Sequence, residues 1–585
     1  MWPAPGSMSS CRTTADRHWV SQAATRARNQ QTEVFVVTQP PSSTAGSPAD
    51  IVLRAGAVHT LVPGLPTQSA LAVRGDRIVD MAPSREGVDD WIGPTTQVID
   101  APGSVVLPAF DDTHTHLIYA ALGVFAVPVH EAADIAGFLS LIRDRATKTP
   151  PGEWITTTTN WQELNLAEGR MPTALELDQA TGQHPVLVQR GGHNGVLNSR
   201  GLALAGISAS TPSPPGGIIG RTHDGTLNGR LIDSAFHMVT HLLPSPDVDE
   251  RVAGLDTASH AYAATGIGTV RDCAVPLGDL EILGGTRDAE RLGTRVRALV
   301  MAQGVREISE LDQLLDAVDG WRPRGDPWLQ VWGLKFVLDG GLEAGATEEP
   351  YLGHDDFCGL LLWPPDALVA AVDRVVRRGW RVGTHAYGDR AVRLLIDVYE
   401  KVLDRNPWLP PNSLVIEHGG LASAEQRARA VALGLPVTIQ QPLLHDTAHV
   451  ELGYWGPDRV ANLFPARGWI DDGALVAAGS DFPVGIFGAM RSVWGLATRQ
   501  TVAGVQGPEH AITIGEAIRL HTTSATELLG EQHQRGTLTP GRLADLTVWS
   551  TDITSAAPAE LRDLVPAVTI VGGKVVHGTG AIAGA

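Results

Sequence analysis

Cysteine is almost missing from this chain of 585 residues: only Cys11, Cys273 and Cys358 occur. Thiols so far apart in sequence indicate neither a disulfide framework nor a CxxC zinc site. Long apolar runs are also missing, since none reaches the roughly 18 residues that a membrane-spanning helix needs. Basic residues are outnumbered, 45 Lys and Arg against 64 Asp and Glu, for a net charge of −19. That balance argues against nucleic acid or an anionic membrane as the main partner. What is there, 43% hydrophobic and 19% charged residues, is an ordinary globular composition on a chain too long for one simple core.

Residues 1–48 stand apart. "MWPAPGSMSSCRTTADRHWVSQAATRARNQQ" has no sustained apolar period, and "PPSSTAGSPAD" reads as a turn-rich linker. The stretch lacks an apolar h-region, which argues against a secretory signal. It is expected to be a disordered extension, or to arise from a start codon placed upstream of Met8. A cytoplasmic location and a homodimer are the default expectations.

Short β-rich runs with Gly, Asp and Pro punctuation fill residues 49–108, and "GTLTPGRLADLTVWS" and "AVTIVGGKVVHGTG" repeat the pattern within 536–585. The two ends are expected to pair into one small β-sandwich. Between them, over 109–535, strand-like runs alternate with helical ones. After "VVLPAFDDTHTH" come "GIGTVRD", "RVRALVMA", "LQVWGLKFVLDG", "WRVGTHAYG", "SLVIEHGG", "LPVTIQQP" and "LVAAGSDFPV". About eight βα units imply an α/β (β/α)8 TIM barrel. Residues 121–250 are too many for one crossover, so an inserted α/β subdomain is expected there.

Barrel active sites sit at the C-terminal ends of the strands. In "LPAFDDTHTH" His114 and His116 close the first strand at i and i+2, a spacing that puts both side chains on one face. Lys335 lies in "GLKFVLDGG", His385 ends "RVGTHAYG", His418 ends "LVIEHGG" and Asp481 ends "VAAGSDFPV". Each alone has a bland reading: a histidine held by a backbone hydrogen bond, or an aspartate capping a helix. Chance explains poorly six such residues falling, in strand order, at one edge.

These motifs resemble the amidohydrolase superfamily and, within it, the YtcJ-like group (amidohydrolase family 3), which includes N-substituted formamide deformylase. The likeness spans nearly all of residues 50–580. "LPAFDDTHTH" is similar to the superfamily's HxH motif, and "GLKFVLDGG", "THAYGDRAV", "IEHGGL" and "GSDFPV" follow in the group's order. The resemblance implies that His114 and His116 bind the more buried metal, and that Lys335 is carboxylated and bridges two ions. It further implies that His385 and His418 bind the second ion and Asp481 completes the first site.

Neutral imidazole and carboxylate suit Zn²⁺, one or two ions. A free ammonium repels a cation, so Lys335 helps only if neutral or N6-carboxylated; its alternative role is an ion pair with Asp339. Metal lowers the pKa of bound water to near neutrality, giving a hydroxide for attack on a carbonyl. Asp481 is the expected general base, passing a proton to the leaving nitrogen, while His418 is open to a second role as a donor to the carbonyl. His193 in "RGGHNGVLN" and Trp161 are expected to line the substrate pocket, with packing roles as the alternative. Asp272 either orients a ligating histidine or caps a helix, and Asp389 is expected to cap the helix after His385. The leading expectation is a metal-dependent hydrolase of a non-peptide carbon–nitrogen bond, such as an amide or formamide. Alternatives are a cyclic amide, carbamate or ester hydrolase on the same site, and a metal-free scaffold or regulatory protein with the barrel fold.

Overall fold

The computed structural model describes residues 47–578 apart from 192–193, 215–216, 245, 303–304 and 306. The N-terminal extension therefore lies almost wholly outside the described residues, as does His193.

Eight parallel strands form the barrel: β1 (Phe110–Thr115), β2 (Ile267–Val275), β3 (Arg295–Met301), β4 (Leu329–Val337), β5 (Arg381–Ala386), β6 (Leu414–His418), β7 (Val437–Ile439) and β8 (Val476–Ala478). Hydrogen-bonded pairing runs unbroken from β1 through β2 to β8. All nine residues of β2, IGTVRDCAV, are buried, as expected for parallel strands covered on both faces. Each intervening helix turns one apolar stripe inward. In Asp389–Arg405 the buried positions Val392, Leu395, Ile396, Tyr399 and Val402 follow the helical period.

The ring closes between β1 and β8. Thr113 Oγ1 donates to the Ala478 carbonyl at 2.9 Å, and the Asp481 N–H to the His114 carbonyl at 2.8 Å. Gly479 makes this approach possible, because a Cβ there would lie 2.5 Å from the His114 nitrogen.

Strands from both ends of the chain share one seven-stranded sheet. Its central strand, Gln97–Pro108, pairs in parallel with Ile51–Val58 and antiparallel with Leu546–Trp549. The expected sandwich takes the form of a single sheet curled on itself. The hairpin at Asp76 reaches the far end of the chain, where the Ala544 N–H donates to the Asp76 carbonyl at 2.8 Å. Leu53, Leu71, Ile99, Leu546 and Ile570 are packed together inside the curl. Beneath the barrel, Arg295 of β3 holds Asp545, next to the sheet strand Leu546–Trp549, at 2.8 Å, and Arg535 on the segment leading to that strand holds Asp111 of β1 and Glu531 at 2.5 Å each.

Between the first barrel helix (Leu117–Gly123) and the long helix Val248–Ala264 lies a five-stranded sheet in the order Ile155–Thr156, Val186–Arg190, Asn194–Leu197, Leu227–Asp233, Gly217–Arg221. Helices such as Ile135–Ala146 and Ala174–Ala180 pack onto it around cores of its own.

Candidate active site

His114, His116, Lys335, His385, His418 and Asp481 converge at the C-terminal mouth of the barrel. Ligand atoms of His114, His116 and Asp481 all lie within 4.8 Å of one another. Asp481 Oδ1 is 2.9 Å from His116 Nε2 and 3.6 Å from His114 Nε2. Lys335 Nζ, 3% exposed as a residue, sits 3.3 Å from His114 Nε2. The His418 ring is 4.5 Å from that of His114 and 4.4 Å from that of His385, centroid to centroid. His385 Nε2 approaches the Gly340 carbonyl oxygen at 3.3 Å.

Two backbones at this mouth are strained. His418 (φ 72°) and Asp481 (φ 59°) both hold the left-handed conformation, which costs a non-glycine residue of order 1–3 kcal/mol and is concentrated at functional sites. At Asp481 the strain is fixed by the Val484 N–H donating to its carbonyl at 2.8 Å and by its own N–H on His114.

The donor set fits a divalent cation. Burial, reinforced by the Lys335 ammonium, pushes His114 down to about 4 and His385 to about 3. Burial also takes His418 well below its ordinary value. These imidazoles are neutral near pH 7, the form that ligates metal. Burial pulls Asp481 up, but the His116 hydrogen bond and the electrostatic pull of its neighbours, Lys335 among them, outweigh it, leaving the carboxyl below its usual range. The Nδ1 atoms of His116 and His418 are buried with no hydrogen-bond partner. A second trio, His114, Cys273 and Glu417, is also compact, but Glu417 is engaged by Arg271 at 2.5 Å and burial raises the Cys273 thiol. It does not suit a cation.

Some neighbours meet one of their expected roles and others depart from expectation. Asp339 makes no ion pair with Lys335; it accepts backbone N–H groups from Ala346 at 2.8 Å and from Tyr387 and Gly388 at 3.0 Å each. Asp272 is a cap of the helix after His116, accepting from the Ile118 N–H at 2.9 Å. Gly388 holds the N-cap position of the next helix, and Asp389, its first residue, accepts from the first-turn Arg390 N–H at 2.9 Å and from the Glu348 N–H at 2.9 Å. Trp161 fills the core of the insertion instead of walling a pocket. Its ring packs on Phe138 at 5.0 Å and its Nε1–H donates to the Gln189 carbonyl at 2.6 Å.

The insertion is fastened over the mouth by contacts the sequence did not disclose. Buried Arg190 bridges Glu163 at 2.9 Å within the insertion and Glu343 at 2.5 Å in the segment after β4. Asn194 Nδ2 donates to the same Glu343 at 2.6 Å, and Thr159 Oγ1 to the Pro483 carbonyl at 3.0 Å after β8. A cavity of about 450 Å³, bordered by Glu163, Arg230, Val450 and Tyr454, lies between the insertion and the helix after β7; none of the six mouth residues lines it. Behind His385 and His418, Tyr387 Oη sits 2.5 Å from the buried carboxyl of Glu451.

The chain is 28% identical over 515 residues to N-substituted formamide deformylase of Arthrobacter pascens, covering 86% of this chain and 94% of that protein. It is 27% identical over 549 residues to Protein LONG AFTER FAR-RED 3 of Arabidopsis thaliana, covering 91% and 92%. The solved structure of an uncharacterized metal-dependent hydrolase from Pyrococcus horikoshii shares the fold, with a TM-score of 0.69 at 20% identity over 87% of this chain and 99% of that one. A model described as an amidohydrolase family matches residues 97–577, so the chain belongs to the amidohydrolase family, a family of hydrolases.

Proposed function

We propose that the protein is a metal-dependent hydrolase of a non-peptide carbon–nitrogen bond, with a small amide or N-substituted formamide as substrate. The observation that carries this reading is the approach of His114, His116 and Asp481 ligand atoms to within 4.8 Å of one another, with two further imidazoles and Lys335 alongside. Bonds of about 2.0–2.2 Å to one ion need such a cluster. His114, His116 and Asp481 would hold a first ion, and His385 and His418, with a carboxylated Lys335, would hold a second. Imidazole and carboxylate donors favour Zn²⁺. Zinc supplies polarisation of the substrate carbonyl and a water of lowered pKa.

The chain's own residues do the rest. Asp481 accepts the proton of the attacking water and delivers it to the leaving nitrogen, a transfer that needs an ionised carboxyl at the start. The depressed pKa of Asp481 supplies that state. The insertion, clasped by Arg190 and Glu343, limits access and shapes the room left for the nitrogen substituent. The deformylase relative's name supports the formamide choice at 28% identity.

A panel of N-formyl amines, N-acyl amines, imides and lactones, turned over with and without added zinc, tests the reading. Zinc-dependent hydrolysis of N-formyl or N-acyl amines is expected. Activity confined to lactones or imides would transfer the site to the cyclic amide and ester alternative.

A further inference from the structure

We infer that Glu417 and Arg271 form a positioning pair that fixes which nitrogen of His114 faces the metal and sets how tightly that metal is held. This rests on the proposed ligand role of His114.

The pair lies inside the barrel, below the mouth. Glu417 and Arg271 are both 0% exposed. The contacts divide between the two carboxylate oxygens. Oε1 takes the Arg271 guanidinium at 2.5 Å. Oε2 meets His114 Nδ1 at 2.7 Å, the Thr438 hydroxyl at 2.7 Å and Arg271 again at 3.2 Å. An ionised carboxylate only accepts, so His114 must carry its proton on Nδ1. That leaves the lone pair on Nε2, the nitrogen that faces Asp481 at 3.6 Å.

Burying an ion pair this deeply gives little net stability, because desolvation cancels the attraction. The fold nevertheless makes room for it. A Cβ at Gly383 on β5 would collide with Glu417 Oε1 and lie 3.0 Å from the Arg271 guanidinium. Arg271 is further seated over the Trp332 ring, 4.3 Å from its centroid, and donates to the Thr113 carbonyl at 2.9 Å. With Arg271 locked against both carboxylate oxygens, Glu417 cannot swing up to become a ligand, and its charge is neutralised. A carboxylate behind a ligating imidazole raises its basicity and fixes its ring, and loss of such a partner weakens metal affinity about 10–100-fold.

The test is zinc affinity, measured on folded protein by competition with a chelator. Glu417→Gln keeps the shape of the side chain but offers His114 a neutral oxygen. Its zinc dissociation constant is expected to rise about 10–100-fold, with turnover largely recovered at saturating zinc. Wild-type affinity in a folded Glu417→Gln protein would overturn the inference. If that variant fails to fold because Arg271 is left uncompensated, the double variant Arg271→Gln with Glu417→Gln removes both charges and must show the same loss. Failure of the neutral pair to fold would also count against a positioning role and for a structural one. A wild-type protein that binds no zinc would defeat the proposed function itself, an outcome separate from these.

Discussion

Asp481 Oδ1 stands 2.9 Å from His116 Nε2 and 3.6 Å from His114 Nε2, so one carboxylate oxygen faces both imidazoles of the first strand's motif. The proposed ligand and base roles meet in this residue, and two substitutions separate them. Asp481→Asn keeps a ligating oxygen but cannot accept a proton; it should retain most of its zinc and lose activity on the order of 10²–10⁴-fold. His114→Asn should lose zinc and activity together. Near-wild-type turnover in Asp481→Asn, measured beside zinc content, would remove Asp481 from the mechanism.

The ion network under the barrel makes a stability prediction. Arg535→Met removes the partner that holds buried Asp111 at 2.5 Å and Glu531 at 2.5 Å. Breaking one side of a buried network costs about 3–5 kcal/mol, read as a lower urea midpoint. Adding Asp111→Asn to this variant should return part of the loss, because one stranded charge disappears. An unchanged midpoint in Arg535→Met would mean that the network contributes nothing to stability.

Glu451 predicts a pH dependence. Burial raises its carboxyl to about 8, against the stabilising hydrogen bond from Tyr387. The folded state therefore keeps a proton that the unfolded chain loses near the ordinary glutamate value of 4.5. A raised pKa contributes stability that is fully present below 4.5 and is lost as pH rises to about 8. Glu451→Gln carries no such proton. The melting temperature of the wild type minus that of Glu451→Gln should fall between those two pH values and level off above the higher one. A difference independent of pH would show that Glu451 is ionised in the folded protein.

Much of this architecture was legible because strand ends and chemistry coincide. His114, His385, His418 and Asp481 each close an apolar run, so periodicity alone brought them to one edge. Glu417 was not legible, although it adjoins His418. Neighbours on a strand point to opposite faces, which would send one of the two away from His114. The left-handed backbone at His418 (φ 72°) breaks that alternation and lets both side chains reach the same imidazole. Trp161 misled for a different reason: an indole in the insertion has a core of its own to fill, and composition does not distinguish that core from a pocket wall. The Arg190–Glu343 clasp joins residues 153 positions apart in sequence, as 343 minus 190, a pairing that no local pattern announces.

The most direct measurement is a zinc titration of chelator-stripped protein, with hydrolysis of an N-formyl amine followed in the same samples. The account predicts no turnover without metal and activity rising with the first equivalent bound. Bicarbonate should promote a second equivalent by carboxylating Lys335, and Lys335→Met should bind at most one. A stripped protein that stays folded, takes up no zinc and hydrolyses none of the amides would contradict the account and leave the barrel as a metal-free scaffold.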